Sequence, residues 1–235
     1  MWYKIKKVRI WVNNEEKQIY PAGWKPWSNT LLYWPLTTDA SDQSWNNNDG
    51  TWYSVSSYSG SNWAYFDGSS FQQRIEFPHS LDPWTQFTLN CWFKTWNNNE
   101  TFIFSNWWFS YRRLIFSISW WNISLWVWNG GSWQSFIDNV TWAISNNTWY
   151  NLWFVRNNYD YSVYVNGVLW SSWTVSYNPS WSWNINWYSI NKGSWTSWSW
   201  TSAISYFKDY IIETSMWTSD DFLNYYNSTK SNYGL

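Results

Sequence analysis

The chain has 235 residues, with 14 Lys+Arg against 15 Asp+Glu and a net charge of -1. It therefore lacks the broad basic field that phosphate backbones require, and no nucleic-acid partner is expected. One cysteine, Cys91, and one histidine, His79, exclude an internal disulfide, a cysteine-based zinc site and a His-rich metal site.

The N-terminus, Met1 to Val12, alternates lysine with apolar residues. It has no continuous apolar core of the signal-peptide kind, and no stretch of the chain approaches the ~20 apolar residues of a membrane span. Tyr3 to Val12, the Asn13-Asn14 turn and Lys17 to Ile19 predict a small hairpin. Pro21-Ala22-Gly23-Trp24-Lys25-Pro26-Trp27 reads as a linker. These signals divide the chain into residues 1–28, an N-terminal hairpin and Pro-containing linker, and residues 29–235, the main domain. An isolated hairpin is marginal in water, so this piece is expected to dock on the main domain or on another subunit, giving an oligomer through the N-terminal segment.

From residue 29 the pattern is strand, turn, strand. Predicted strands are Leu31–Leu36, Ala64–Phe66, Arg74–Phe77, Phe87–Lys94, Thr101–Ser105, Leu114–Ser119, Ile123–Val127, Trp149–Arg156, Tyr161–Asn166 and Ala203–Glu213. Cys91 falls in the alternating strand Phe87–Lys94 and is expected to be a buried thiol. His79, after Phe77-Pro78, reads as an exposed turn residue. Asn166-Gly167 between apolar runs predicts a hairpin, because a type I′ turn needs positive φ at both central residues. One short helix is predicted near the C-terminus: Thr218 caps it, Asp221 stands three residues on, and Phe222, Leu223, Tyr225 and Tyr226 supply an apolar face. Many short strands with long polar loops give an all-β double-sheet jelly roll or sandwich.

The 30 tryptophans stand against only 9 glycines, fewer than the roughly 7% glycine of ordinary proteins. Many tryptophans occupy places where a turn wants glycine. Trp45 precedes Asn46-Asn47-Asn48-Asp49-Gly50, and Trp96 precedes a run of three Asn. Trp181, Trp183, Trp195, Trp198 and Trp200 alternate with Ser and Thr. We read these as UGA codons that the source translates as glycine; the alternative is a truly Trp-rich binding surface. Trp92 and Trp149 read as genuine strand residues; Trp34, Trp126 and Trp153 fit either reading.

Leu32-Tyr33-Trp34-Pro35-Leu36, followed by Asp42-Gln43-Ser44-Trp45-Asn46-Asn47-Asn48-Asp49-Gly50, resembles the opening strand and loop of laminin-G-like domains. That family belongs to the concanavalin A-like lectin/glucanase superfamily. Ala64 to Ser70, Phe87 to Lys94, Trp149 to Leu152 with Val163 to Gly167, and Ile204 to Glu213 followed by a helix ending in Tyr226-Asn227 resemble later family segments in order. Trp45 stands where the family has Gly. The resemblance covers residues 31 to 227. It implies a concanavalin A-like jelly-roll sandwich of two antiparallel sheets with one short C-terminal helix.

The superfamily's glucanases carry paired Glu residues on one strand, and retaining hydrolysis needs carboxyl groups only ~5–5.5 Å apart. The five Glu of this chain, Glu15, Glu16, Glu76, Glu100 and Glu213, do not form that pattern. Asp209 and Glu213, four apart on the last strand, are the best remaining pair. Calcium is a closer fit to the residues than catalysis. Ca²⁺ takes six to eight oxygens, and Asp42, Asn48 and Asp49 offer them in one loop. The resemblance places a Ca²⁺ between that loop and the closing strand, where Asp209 lies, so Asp42, Asp49 and Asp209 are the candidate ligands of a structural Ca²⁺. The alternative is that these residues only make turns. Tyr111, Tyr159 and Tyr188 are loop-edge aromatics that could meet a sugar.

These readings favour a non-catalytic binding module for carbohydrate or cell-surface recognition, outside the cell, at its surface or on a virion. The alternative is a structural or adhesion component of a surface fibre or phage virion, attached through residues 1–28. A glycoside hydrolase ranks below both.

Overall fold

The structure, a computed structural model, describes residues 8–12, 15–19, 29–44, 46–53, 63–69, 73–78, 86–96, 101–106, 114–119, 122–128, 133–137, 144–176, 188–191 and 204–235. Two strands near the N-terminus, β1 (Val8–Val12) and β2 (Glu15–Ile19), pair antiparallel as a sheet of their own. The remaining strands are β3 (Thr30–Trp34), β4 (Thr51–Tyr53), β5 (Ala64–Phe66), β6 (Arg74–Glu76), β7 (Gln86–Thr95), β8 (Thr101–Asn106), β9 (Leu114–Ser119), β10 (Asn122–Trp128), β11 (Trp133–Ile137), β12 (Tyr150–Asn157), β13 (Asp160–Val165), β14 (Val168–Thr174), β15 (Tyr188–Ile190) and β16 (Ser205–Glu213). Helix α1 (Ser219–Thr229) and a 3-10 turn, Lys230–Tyr233, close the chain.

The strands form two antiparallel sheets of a β-sandwich, as the alternating sequence predicts. One runs β11-β10-β9-β8-β15-β6-β4. The other runs β14-β13-β12-β7-β16-β3, with β5 added beside β16. Period-2 alternation sends one set of side chains between the sheets. Phe87, Leu89, Cys91 and Phe93 of β7 join Leu152 and Phe154 of β12 and Phe104 and Phe116 of the opposite sheet in one buried cluster. Phe116 stacks on Phe154 at 4.8 Å. Trp34 also belongs to this core: it stacks on Phe77 at 4.7 Å, and its Nε1–H donates to the Asn48 carbonyl at 2.8 Å.

Three strands fall where the sequence offers no expected strand, β4, β11 and β15, while β14 is the return strand of the hairpin expected at Asn166-Gly167. Three-residue strands such as β4 and β15 carry too little periodicity to declare themselves. The Asn166-Gly167 turn has φ of 52° and 80°, the pair of positive values a type I′ turn requires. Helix α1 carries the expected capping box, with the Thr218 side chain accepting from the Asp221 N–H and the Asp221 side chain accepting from the Thr218 N–H. Phe222 and Tyr225 are its buried residues, whereas Leu223 is exposed.

The outer face of the second sheet positions the candidate site. Trp153, Val155 and Ile211 point outward from β12 and β16 and pack against Trp217, Phe222 and Tyr225. Helix α1 thus covers one end of that face. A bulge in β16 between Lys208 and Ile211 inserts Asp209 with φ 49°. Asp tolerates this left-handed geometry better than most residues. The insertion lets Tyr210 and Ile212 return to the core.

Candidate functional site

Beyond the helix-covered region the same face becomes aromatic and partly exposed. Register places Tyr65 of β5 opposite Tyr206 of β16, and Tyr206 opposite Lys94 of β7. Tyr150 pairs with Phe93, so Trp149, the residue before β12, lies beside Lys94. The four side chains form one row across three strands and the residue that leads into β12, because residues paired across a ladder share a face. The Tyr65 and Tyr206 rings stack with centroids 4.8 Å apart. Trp63 closes the group, 5.7 Å from Trp149 and 6.0 Å edge-on from Tyr206.

Lys94 sits at the centre of this group. Its Nζ lies 4.6 Å from the Tyr206 ring, 5.2 Å from Trp149 and 5.4 Å from Trp63, all within cation–π range. Displacement of water by these rings lowers the ammonium pKa below the ordinary 10.5. Burial likewise raises the Tyr206 phenol, helped by neighbouring Tyr65. Trp96, 47% exposed, stands beside Tyr206 at the rim. Half-exposed Tyr and Trp rings with polar tips can stack on an apolar ligand face while hydrogen-bonding at its edge.

The predicted metal ligands occupy a different place. Asp42 is the anchor of its loop. Its Oδ1 accepts from the N–H groups of Tyr33 (2.9 Å) and Ser44 (2.8 Å), and its Oδ2 accepts from Ser44 Oγ (2.6 Å) and the Asn48 N–H (2.8 Å). Asp49 Oδ1 accepts the Asp42 N–H at 2.6 Å. The loop therefore brings Asp42 and Asp49 together. Asp209 instead accepts from the hydroxyls of Tyr33 (3.1 Å) and Tyr233. Among the described residues no three His, Cys, Asp or Glu side chains gather as a group that could hold a metal. The donor set does not fit an ion shared by all three aspartates, because protein donors already fill the Asp42 lone pairs.

Glu213 is equally committed. It is 1% exposed. Its Oε1 accepts from Thr30 Oγ1 at 3.0 Å, and its Oε2 accepts from Ser215 Oγ at 3.0 Å and from Trp217 Nε1. It acts as an internal acceptor beneath Trp217, and the bulge at Asp209 interrupts the regular period that relates the two carboxylates in the sequence. Of the loop-edge tyrosines, Tyr159 is exposed at the β12–β13 turn, Tyr188 begins β15, and Tyr111 lies outside the described residues, as do His79, Trp45, Trp195, Trp198 and Trp200. Sequence reasoning missed the Lys94 group. Its visible signal is the outward position of Lys94 on β7 and of Tyr206 on β16, but the register joining them is not written in either strand alone.

No protein-family profile matches the chain, and no curated protein sequence matches it. Solved structures do. Domain 4 of AbnA, a GH43 extracellular arabinanase from Geobacillus stearothermophilus in complex with arabinotriose, is similar with a TM-score of 0.64 at 19% identity, covering 84% of this chain and 98% of that one. The binding domain of Paraclostridial Mosquitocidal Protein 1 is similar with a TM-score of 0.63 at 15% identity, covering 85% of this chain. The binding domain of botulinum neurotoxin DC in complex with SialylT gives 0.64 at 13% identity, covering 86%. This chain spans 52% of each of those two toxin domains. At these identities the likeness establishes the antiparallel β-sandwich. The laminin-G resemblance continues to rest on the sequence motifs. Among the described residues no helix is long and apolar enough to cross a membrane.

Proposed function

We propose that the chain is a non-catalytic carbohydrate-binding module whose ligand lies on the aromatic face around Lys94. The observation that carries this reading is the row Tyr65–Tyr206–Lys94–Trp149, where the stacked, part-exposed Tyr65 and Tyr206 rings and the buried Trp149 surround a cation on a rigid sheet. The rings offer flat apolar surface for a sugar's C–H face, and the sheet holds them in place without ordering cost at binding. Likeness of fold to an arabinanase domain solved with arabinotriose supports the reading. A glycan array probed with the full chain tests it: binding that Tyr206→Ala abolishes supports the assignment, and silence across neutral and acidic glycans defeats it. An extracellular, cell-surface or virion location follows from such a ligand.

The adhesion reading keeps one observation of its own. β1 and β2 pair only with each other among the described strands, which is the arrangement expected of an attachment hairpin. A stable oligomer of the full chain in analytical ultracentrifugation supports it; a strict monomer removes it. The glycine reading of the loop tryptophans is tested by the codons at Trp45, Trp96 and Trp195. Tyr65, Tyr206 and Lys94 stand whatever that outcome, and Trp149 reads as a genuine strand residue, whereas the rim residue Trp96 is among the tryptophans in question.

A further inference from the structure

The aromatic face continues past Lys94 toward the C-terminal turn, and lysines accompany it. Tyr233 meets Trp149 edge-on at 5.2 Å and stacks on Trp92 at 3.8 Å. Lys208 Nζ lies 5.3 Å from the Tyr233 ring, and Lys230 Nζ lies 5.3 Å from the Tyr226 ring. Tyr206 pairs with Lys94 and Trp92 with Lys208, so Lys94 and Lys208 are diagonal neighbours on one face, a relation that spans about 7–8 Å.

Among the described residues no carboxylate forms an ion pair with Lys94, Lys208 or Lys230. Asp209, next to Lys208, is held by the Tyr33 and Tyr233 hydroxyls instead. A protein with a net charge of -1 thus places three lysines, without an ion-pair partner among the described residues, along one aromatic ridge. A ligand that stacks on the rings and carries regularly spaced anions satisfies both features at once. Stacking alone fits any sugar, and charge alone fits any polyanion.

We propose that this face selects an acidic polysaccharide, one bearing uronate carboxylates, over neutral glycans; the inference rests on the carbohydrate-binding reading above. Sugar rings pack on the part-exposed Tyr65–Tyr206 pair, and ring carboxylates meet Lys94 and Lys208. A carboxylate reaching a part-buried ammonium gains a charge-assisted hydrogen bond, worth roughly tenfold in affinity.

Affinity electrophoresis of the full chain tests the proposal, with polygalacturonate, its fully methyl-esterified form and neutral arabinan in the gels. The expected result is about tenfold tighter binding to polygalacturonate than to the ester. Lys94→Gln is expected to lose affinity for polygalacturonate by about tenfold and so to bind polygalacturonate and its ester alike. Lys208→Gln serves as the second variant if Lys94→Gln does not fold. Equal binding to all three polymers overturns the acidic preference and leaves the glycan reading intact; no binding to any of them defeats both. Retention by polygalacturonate that Tyr206→Ala leaves unchanged marks ion exchange alone and overturns the proposal. So does displacement of polygalacturonate by an equal charge of oligo(dT), because single-stranded nucleic acid also stacks on aromatics beside lysine.

Discussion

Lys94 and Tyr206 are cross-strand partners, and the lysine ammonium lies 4.6 Å from the centre of the tyrosine ring. The same ring also stacks on Tyr65 at 4.8 Å and meets Trp63 edge-on at 6.0 Å. Tyr206→Ala therefore removes the middle of the row. Glycan affinity is expected to fall by at least about tenfold, as for a central aromatic anchor, with a stability loss of only about 1 kcal/mol. Isothermal titration beside thermal melts separates the two effects.

Asp42 holds its loop through four hydrogen-bond donors. Asp42→Ala strands two backbone N–H groups of the loop and one N–H of β3, so a loss of about 2–4 kcal/mol is expected by denaturant titration. The same carboxylate has no lone pair left for a shared ion. Melting temperatures of the wild type in calcium and in EDTA are expected to coincide; a calcium-dependent rise would restore the metal reading of Asp42, Asp49 and Asp209.

Gly50 is a packing glycine. A Cβ there would meet Ile75 Cγ2 at 2.7 Å, Ala40 Cβ at 2.8 Å and Trp34 Cζ2 at 2.9 Å. Those neighbours are core side chains with little room to give, so Gly50→Ala is expected to cost about 1–3 kcal/mol by overpacking. Gly167→Ala is strained for a different reason: φ is 80°, and the Leu223 Cα backbone atom lies 2.8 Å from the added methyl. It is expected to loosen helix α1 from the β13–β14 turn, read as faster amide exchange in α1.

Burial raises the Glu213 carboxyl above its ordinary 4.5, outweighing the hydrogen bonds from Trp217, Thr30 and Ser215 that oppose the shift. The native state therefore keeps this proton to higher pH than the unfolded chain does. Over the window from 4.5 up to the raised value, the native state binds more protons, so this group's contribution to stability falls as pH rises. Glu213→Gln cannot titrate. The wild type is expected to lose melting temperature relative to the variant as pH climbs from the acidic range to neutrality, checked by melts of both proteins across pH.

The Cys91 thiol is fully buried, and desolvation pushes its pKa far above the ordinary 9.0. A buried thiol with no thiolate is inert. Native protein is expected to ignore Ellman's reagent and to release one equivalent on unfolding in guanidinium; rapid reaction of the native state would show that β7 opens.

Elements whose cause is local were legible in the chain. The Asn166-Gly167 turn, the Thr218–Asp221 capping box and the alternating strand around Cys91 follow from φ preference, side-chain-to-backbone hydrogen bonding and a two-residue period. Each reads correctly from a few consecutive residues. The roles of Asp209, Glu213 and Lys94 depend on partners far along the chain: Tyr33 and Tyr233, Thr30 and Trp217, Tyr206 and Trp149. A carboxylate offered to calcium and one clamped by two phenols look alike in sequence. The strand β16 adds a second obstacle, because its bulge at Asp209 breaks the regular period from which a shared face would be inferred. Register between distant strands, set by which faces bury together, made the aromatic row out of residues that no local pattern joins.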